Sequence, residues 1–341
     1  MRIMGRARAL VAVGAGAFLL AGCGSGPNQA GAAAFVGGTA ISLDDVQQVI
    51  DKAVSEQPFG RQLAAQHKVD AIGREAVRQL IVHELLVKAA AKQGLVPDEG
   101  EIALEMTKPA APVSATDDEA AAVTQVVARA RDPHEQLSDA NLEKQLATKA
   151  QKTLSVTFDY IALVPGESAT TDPAALKQQA FDIARKFAAD PAGARQAMQQ
   201  QLSEAQQQAS MQGQDPSGIP IHFDQVVTAA QAPALAVGPV FGVPANTVVA
   251  VQASIPQNSS WYVFMVNKRS DSPVAGDAAG SPTPEQVSAI GIRMLQSSVA
   301  DAGIRVNPRY GVWDVAGMNI APNKDVTTGL VVPYGAAAPQ Q

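Results

Sequence analysis

The sequence predicts a mainly helical α+β protein, and three observations carry that reading. Stretches around residues 43–54 and 74–94 set apolar side chains at i, i+3, i+4 and i+7, the stripe of an amphipathic helix. Stretches at 154–165 and 260–270 alternate, or run as β-branched and aromatic residues, as strands do. Aromatic residues are only 4% of the chain while alanine and glutamine abound, so the core must be built from small aliphatic side chains.

The elements follow in chain order. Arg2, Arg6 and Arg8 precede an uncharged run, Ala9 to Leu20, too short to span a bilayer comfortably but laid out like a secretory signal. It ends in Leu20-Ala21-Gly22-Cys23, which resembles a bacterial lipobox. That resemblance implies lipidation of Cys23 and cleavage before it, making 1–22 a lipoprotein signal peptide. It also implies a chain held by lipid on the extracytoplasmic face of the cell membrane. Removing that segment takes away three arginines and no acid, moving the net charge from −6 to −9. So acidic a chain, without a basic patch interleaved with aromatics, is not expected to bind nucleic acid. Cys23 is the only cysteine, so no disulfide forms within the chain, and about 300 mature residues must be stabilised by hydrophobic burial.

Residues 23–33 read as a flexible tether. Ala33 to Ile41 then reads as a short strand and turn. Ser42 is placed to cap a helix, Asp45 to complete the cap, and Ile41 with Val46 to close a hydrophobic staple. A longer helix carries Val77, Leu80, Ile81, Leu85 and Ala89, widened by Val82, Leu86 and Ala90, and stops at Gly94. Asp98 opens another helix, and more polar ones are expected at 117–131 and 137–152. From Leu154 the period becomes that of a strand, followed by a helix after Asp172-Pro173. The Gln-rich segment 198–214 is either a solvated helix or a mobile insertion. "SGIPIHFDQVV" is a loop or short strand. Gly238, Pro239, Gly242 and Pro244 puncture the apolar run that follows and exclude a membrane span there. Ser260 to Ser270 is the clearest strand. Residues 271–283 read as a linker, 284–302 as a helix, and 317–341 as a flexible tail.

The four histidines, His67, His83, His134 and His222, have no metal-ligand spacing. His83 reads as a boundary residue on its helix. No hydrolase, metalloprotease or phosphate-loop motif appears. The expectation is therefore no metal and no cofactor.

The order of parts is more specific. Val36-Gly37-Gly38-Thr39-Ala40-Ile41, the capped helix beginning at Ser42, and the later helix with Leu80, Ile81, Leu85, Leu86, Gly94 and Leu95 together resemble the SurA N-terminal-domain family. This is the family of SurA/PrsA-like extracytoplasmic foldases and chaperones. "VNPRYGVWD" (Val306 to Asp314) resembles the ending of actinobacterial lipoproteins in this group. The resemblance implies a SurA-like helical domain at 34–153, completed by a C-terminal helix and strand at 284–316. Ile304–Val306 would then pair near Phe35-Val36, and Asn307, Pro308, Tyr310 and Trp313 would form the closing motif. It further implies an inserted parvulin-like α+β domain at 154–270. There Tyr160-Ile161-Ala162 and Tyr262-Val263-Phe264 stand where parvulins carry H-I-L and Y-H-I-I. Both expected histidines are missing, so the insertion reads as degenerate and the protein as leaning away from catalysis. The implied partners are unfolded or exported polypeptides, bound without ATP. The alternatives are an active peptidyl-prolyl isomerase and a non-catalytic envelope adaptor with one dedicated partner.

Overall fold

The structure, a computed structural model, describes residues 31–109, 113, 118–164, 172–252, 260–273 and 281–335. Cys23 and the other residues of the expected lipobox lie outside them. The described chain opens as a hairpin of β1 (Ala32–Val36) and β2 (Thr39–Ser42), turned at Gly37, whose φ of +63° is one a glycine adopts without strain. The expected tether is therefore too long by two residues. Ala32 and Ala33 are buried in β1, where their small side chains let the strand lie close against the helices.

Ser42 caps α1 (Leu43–Glu56). Its Oγ accepts from the Asp45 amide at 3.0 Å and donates to the Asp45 carboxylate at 2.6 Å. After α2 (Pro58–Ala65) comes the long α3 (Val69–Gln93), ended by Gly94 in the left-handed conformation. Its buried face, from Ile72 and Ala76 through Ile81 and Leu85 to Ala90, is the spine of the first core. Asp98 caps α4 (Glu99–Met106), and α5 (Glu119–Ala130) and α6 (Pro133–Thr153) complete the helical layer.

Strand β3 (Ser155–Leu163) leaves α6 after a single residue, Leu154. Then come α7 (Pro173–Ala189), α8 (Pro191–Met211) and β4 (Ile221–Thr228). The Gln-rich segment is thus a helix with most of its surface in water; Ala194, Met198 and Ala209 are its buried residues. The short helices α9 (Pro233–Ala236) and α10 (Pro239–Gly242) precede β5 (Thr247–Gln252) and β6 (Trp261–Ser270). Helix α11 (Pro284–Met294) carries a full capping box at Thr283 and Gln286. The helix expected to run through residue 302 instead breaks after Met294 into a 3-10 turn and the short α12 (Val299–Ala302).

Strand β7 (Arg305–Val306) returns to the beginning of the fold. Val306 pairs with Ala34 and Arg305 with Phe35, giving an antiparallel sheet of order β2-β1-β7. Asn307 fixes the return: its amide donates to the Ala33 carbonyl and its side chain to that of Ala32. Tyr310 is buried against α3, near Gly73, and Trp313 packs at the edge of the same core.

Residues 317–335, expected as part of a flexible tail, form ordered strands and turns. Strand β8 (Val312–Asp314) pairs with β9 (Asn319–Ala321), and β10 (Gly329–Pro333) adds to β5 as the outer strand of an antiparallel sheet of order β10-β5-β6-β3-β4. The physical reason is burial. Met318 and Ile320 enter the helical core, Ala321 is buried beside them, and "GLVV" is an apolar run ending in two β-branched valines that covers an otherwise open strand.

Both faces of this sheet are covered. Asp159, Ile161, Val263 and Met265 face α7 and α8. Val156, Phe158, Phe264 and Val266 face α9, α10, α11 and the end of α6, with Phe241 fully buried between. Helix α11 crosses α6 at Gly291, where an added Cβ would stand 2.3 Å from the Glu143 carbonyl oxygen, so only glycine admits so close an approach.

Candidate functional site

Strand alternation builds the site. Phe158 and Tyr160 on β3, and Tyr262 and Phe264 on β6, are two residues apart on neighbouring strands and so share a face. Their rings form a continuous cluster: Phe158 to Phe264 at 5.3 Å edge-on, Tyr160 to Phe264 at 5.5 Å, Tyr262 to Phe264 at 5.8 Å. Val251 on β5 and Val227 on β4 extend this floor on either side. Leu235, Val237 and Pro239 of the α9–α10 stretch make one wall. Arg293 of α11, with Ala316, Gly317 and Thr328 of the C-terminal segment, makes the other. The result is an open groove of about 750 Å³, within the size range of ligand sites.

Tyr160 and Tyr262 are half-buried. Burial, then the neighbouring Tyr262, raises the Tyr160 hydroxyl above its ordinary range, so it stays a neutral donor at physiological pH. Val263 sits on the opposite face, fully buried against the α7–α8 layer. A histidine nevertheless stands beside the groove. His222 of β4 pairs in register with Tyr160 and stacks on its ring at 4.7 Å.

Arg293 is 9% exposed. It donates from Nε to the Val237 carbonyl at 2.9 Å, and from Nη1 to Gln296 at 2.9 Å and to the Ala316 carbonyl at 2.8 Å. Burial lowers its pKa to about 10, with Asp314 acting the other way from a distance. The Asp314 carboxylate is itself occupied, accepting from the Ala316, Gly317 and Thr328 amides and the Thr328 hydroxyl.

A second polar cluster lies inside the helical layer. His83 donates or accepts at Asp139 (2.8 Å) and Glu135 (3.0 Å), while Arg131 meets Asp139 at 2.6 Å. The hydrogen bond to Asp139, then that to Glu135, raises the His83 pKa to about 9. Nearby, Glu143 is 9% exposed and bonded by the Ser288 hydroxyl of α11; burial pushes its carboxyl up to about 7. Glu75 faces the opposite balance: burial would raise it, but the charge and hydrogen bonds of Arg78 bring it below its usual value. This cluster braces three helices and borders a cleft of about 440 Å³ beside Asp45, Lys52 and Glu84.

The structure brings the sequence-derived packing residues into one place. Val36, Val46, Ile81 and Leu86 are fully buried, Ile41 and Leu85 nearly so, and Leu80 packs at the core's margin. These residues define a fold rather than a chemistry. The sequence reading missed the walls of the groove and the His83 cluster. Two signals were present: the i, i+2 aromatic pairs on β3 and β6, and the spacing by four of Arg131, Glu135 and Asp139. Nothing local marks Arg293. Among the described residues no group of three or more His, Cys, Asp or Glu is placed to hold a metal ion, and no helix is long and apolar enough to cross a membrane.

The described chain is thus a capped helical layer closed by its own C-terminal strand, together with a sheet that carries an aromatic groove. Comparison with known proteins makes this specific. Residues 4–148 match the SurA-like N-terminal domain family, so the chain carries a SurA-like N-terminal domain. No curated protein matches the chain.

Proposed function

We infer that the protein is a membrane-anchored extracytoplasmic chaperone-like lipoprotein that holds unfolded or exported polypeptides without ATP. The observation that carries this reading is the groove: an aromatic floor in which Phe158 and Phe264 are buried and Tyr160 and Tyr262 half-buried, on a chain that also bears a SurA-like domain. Aromatic and aliphatic walls of this kind bind apolar segments through burial, at roughly 25 cal/mol per Å² removed from water, which needs no energy source. The degenerate parvulin-like reading of 154–270 fits the strand–helix–helix–strand order ahead of β5 and β6. With Tyr160 and Val263 in place of the expected histidines, isomerisation of a prolyl peptide is expected to run near its background rate.

The test is suppression of aggregation of a reduced, unfolding client. The wild-type chain is expected to suppress it at stoichiometric ratios, and Tyr160→Ala/Tyr262→Ala to lose most of that effect, with a lowered melting temperature that still lies above the assay temperature. No suppression by the wild type would sink the reading. In vivo crosslinking then separates a holder of many exported chains from an adaptor, which would give one dominant adduct. Anchoring is tested apart from binding. Cys23→Ser is expected to move the protein from the membrane fraction to the soluble or secreted one, and unchanged fractionation would overturn the lipid anchor.

A further inference from the structure

The groove contains an electrostatic anomaly. Buried charges are ordinarily paired, because an isolated ion loses its hydration without compensation. Arg293 is nine-tenths buried, yet its hydrogen-bond acceptors are the Val237 and Ala316 carbonyls and the Gln296 amide oxygen, all neutral. Its Nη2 takes part in none of these bonds, and no carboxylate among the described residues forms an ion pair with it. Asp314, the acid that influences it, has both oxygens engaged by four other donors. Among the described residues lining the groove, Arg293 is the only one charged at neutral pH; the rest are apolar, aromatic or neutral. The groove thus offers one unpaired cation against an apolar floor.

We propose that the groove recognises the C-terminal end of a polypeptide, its last apolar residues lying on the Phe158–Tyr160–Tyr262–Phe264 floor and its terminal carboxylate pairing with Arg293. The complement of a buried cation in an apolar groove is an apolar ligand with one anionic group. A chain end supplies it with the least desolvation. An internal Asp or Glu would bring two flanking stretches of backbone against a lining in which Gln225, Gln252, Thr328 and the two tyrosine hydroxyls are the neutral polar side chains available to their N–H and C=O groups. A chain end brings one. The inference rests on reading the groove as a polypeptide site and narrows what it takes.

The experiment uses short apolar peptides containing two aromatic residues, labelled at the amino end, with fluorescence anisotropy on the mature chain. Three forms are compared: a free carboxylate end, an amidated end, and an amidated end with one internal Glu. The free acid is expected to bind about tenfold to hundredfold more tightly than either amidated form, as charge-assisted hydrogen bonds in a desolvated site allow. Because the change is made in the ligand, it does not depend on any variant folding. Arg293→Lys, which keeps the charge, is expected to retain the preference, and Tyr262→Ala to weaken all forms together. Equal binding of the acid and amide ends would overturn the carboxylate assignment while leaving the groove as a polypeptide site. Equal binding of the free-acid and internal-Glu forms would overturn the choice of the chain end. Absence of binding by every form would overturn the groove itself as a binding site.

Discussion

Truncation of the chain after residue 316 is expected to remove about 5 kcal/mol or more of folding stability and to abolish groove binding. The deletion takes away Met318 and Ile320, which are 2% and 8% exposed, together with Ala321. Full burial of a side chain as large as Met or Ile is worth roughly 1.5–3 kcal/mol. It also removes β10, whose five residues pair with β5 from Gly329 opposite Val251 to Pro333 opposite Thr247. Strand β5 would become an edge, with Val248, Val249 and Ala250, all fully buried now, at its margin. Three further ties go at once: Lys177 to the Asp325 and Thr327 carbonyls, and Thr328 to Asp314. Domains commonly have only about 5–15 kcal/mol in total, so the truncated chain should melt far below the wild type or fail to fold. Urea denaturation measures this directly. A truncated chain with the wild-type midpoint would show that the C-terminal strands contribute nothing to the fold.

This segment also marks where the sequence ceased to be legible. The capped helix at Ser42, the stop at Gly94 and the strands at 155–163 and 261–270 could be read locally, because each depends on neighbours a few residues away. The same holds for the aromatic floor, given in principle by alternate positions on two clear strands. Strand β10 depends instead on β5, some eighty residues earlier by register, and its own five residues sit behind the polar turn "NKDVTT". The walls of the groove fail in the same way. Arg293 reads as an ordinary cation in the last turn of α11; its burial is created by Val237 and Ala316 arriving from either side. Helix α6 was hard to read for a related reason. It buries Asp139, Asn141 and Glu143, which on sequence alone belong on a solvated face.

Those buried groups set the pH dependence, and the protein is expected to be most stable near pH 4.5 and to weaken progressively as pH rises to 9. Two groups act in the same direction. The folded pKa of His83 is raised from 6.5 to about 9 by Asp139 and Glu135, so its contribution is complete below pH 6.5 and is lost as pH climbs through 9. Burial raises Glu143 from 4.5 to about 7, so the folded state retains a proton there that the unfolded chain gives up. Stability therefore falls between pH 4.5 and 7 on its account. One pKa unit corresponds to about 1.4 kcal/mol, so the shift of Glu143 from 4.5 to about 7 is worth roughly 3–4 kcal/mol. The His83 contribution is smaller, about 1–2 kcal/mol, because its ring is 23% exposed and partly screened by water. On the acid side the sign reverses. Glu75 and Glu135 lie below their ordinary values, so the stability they provide is lost as pH drops under about 4.5. Glu143→Gln keeps an acceptor for Ser288 and removes the ionisation, so it should raise stability above pH 7 and flatten the slope between pH 4.5 and 7. His83→Gln should remove the remaining slope between pH 6.5 and 9, at a cost in stability at pH 6. Melting temperatures of the three proteins from pH 4 to 9 decide the matter. A wild-type curve that rises steadily from pH 5 to 8 would contradict both assignments, and an unchanged slope in Glu143→Gln would contradict the one at α6.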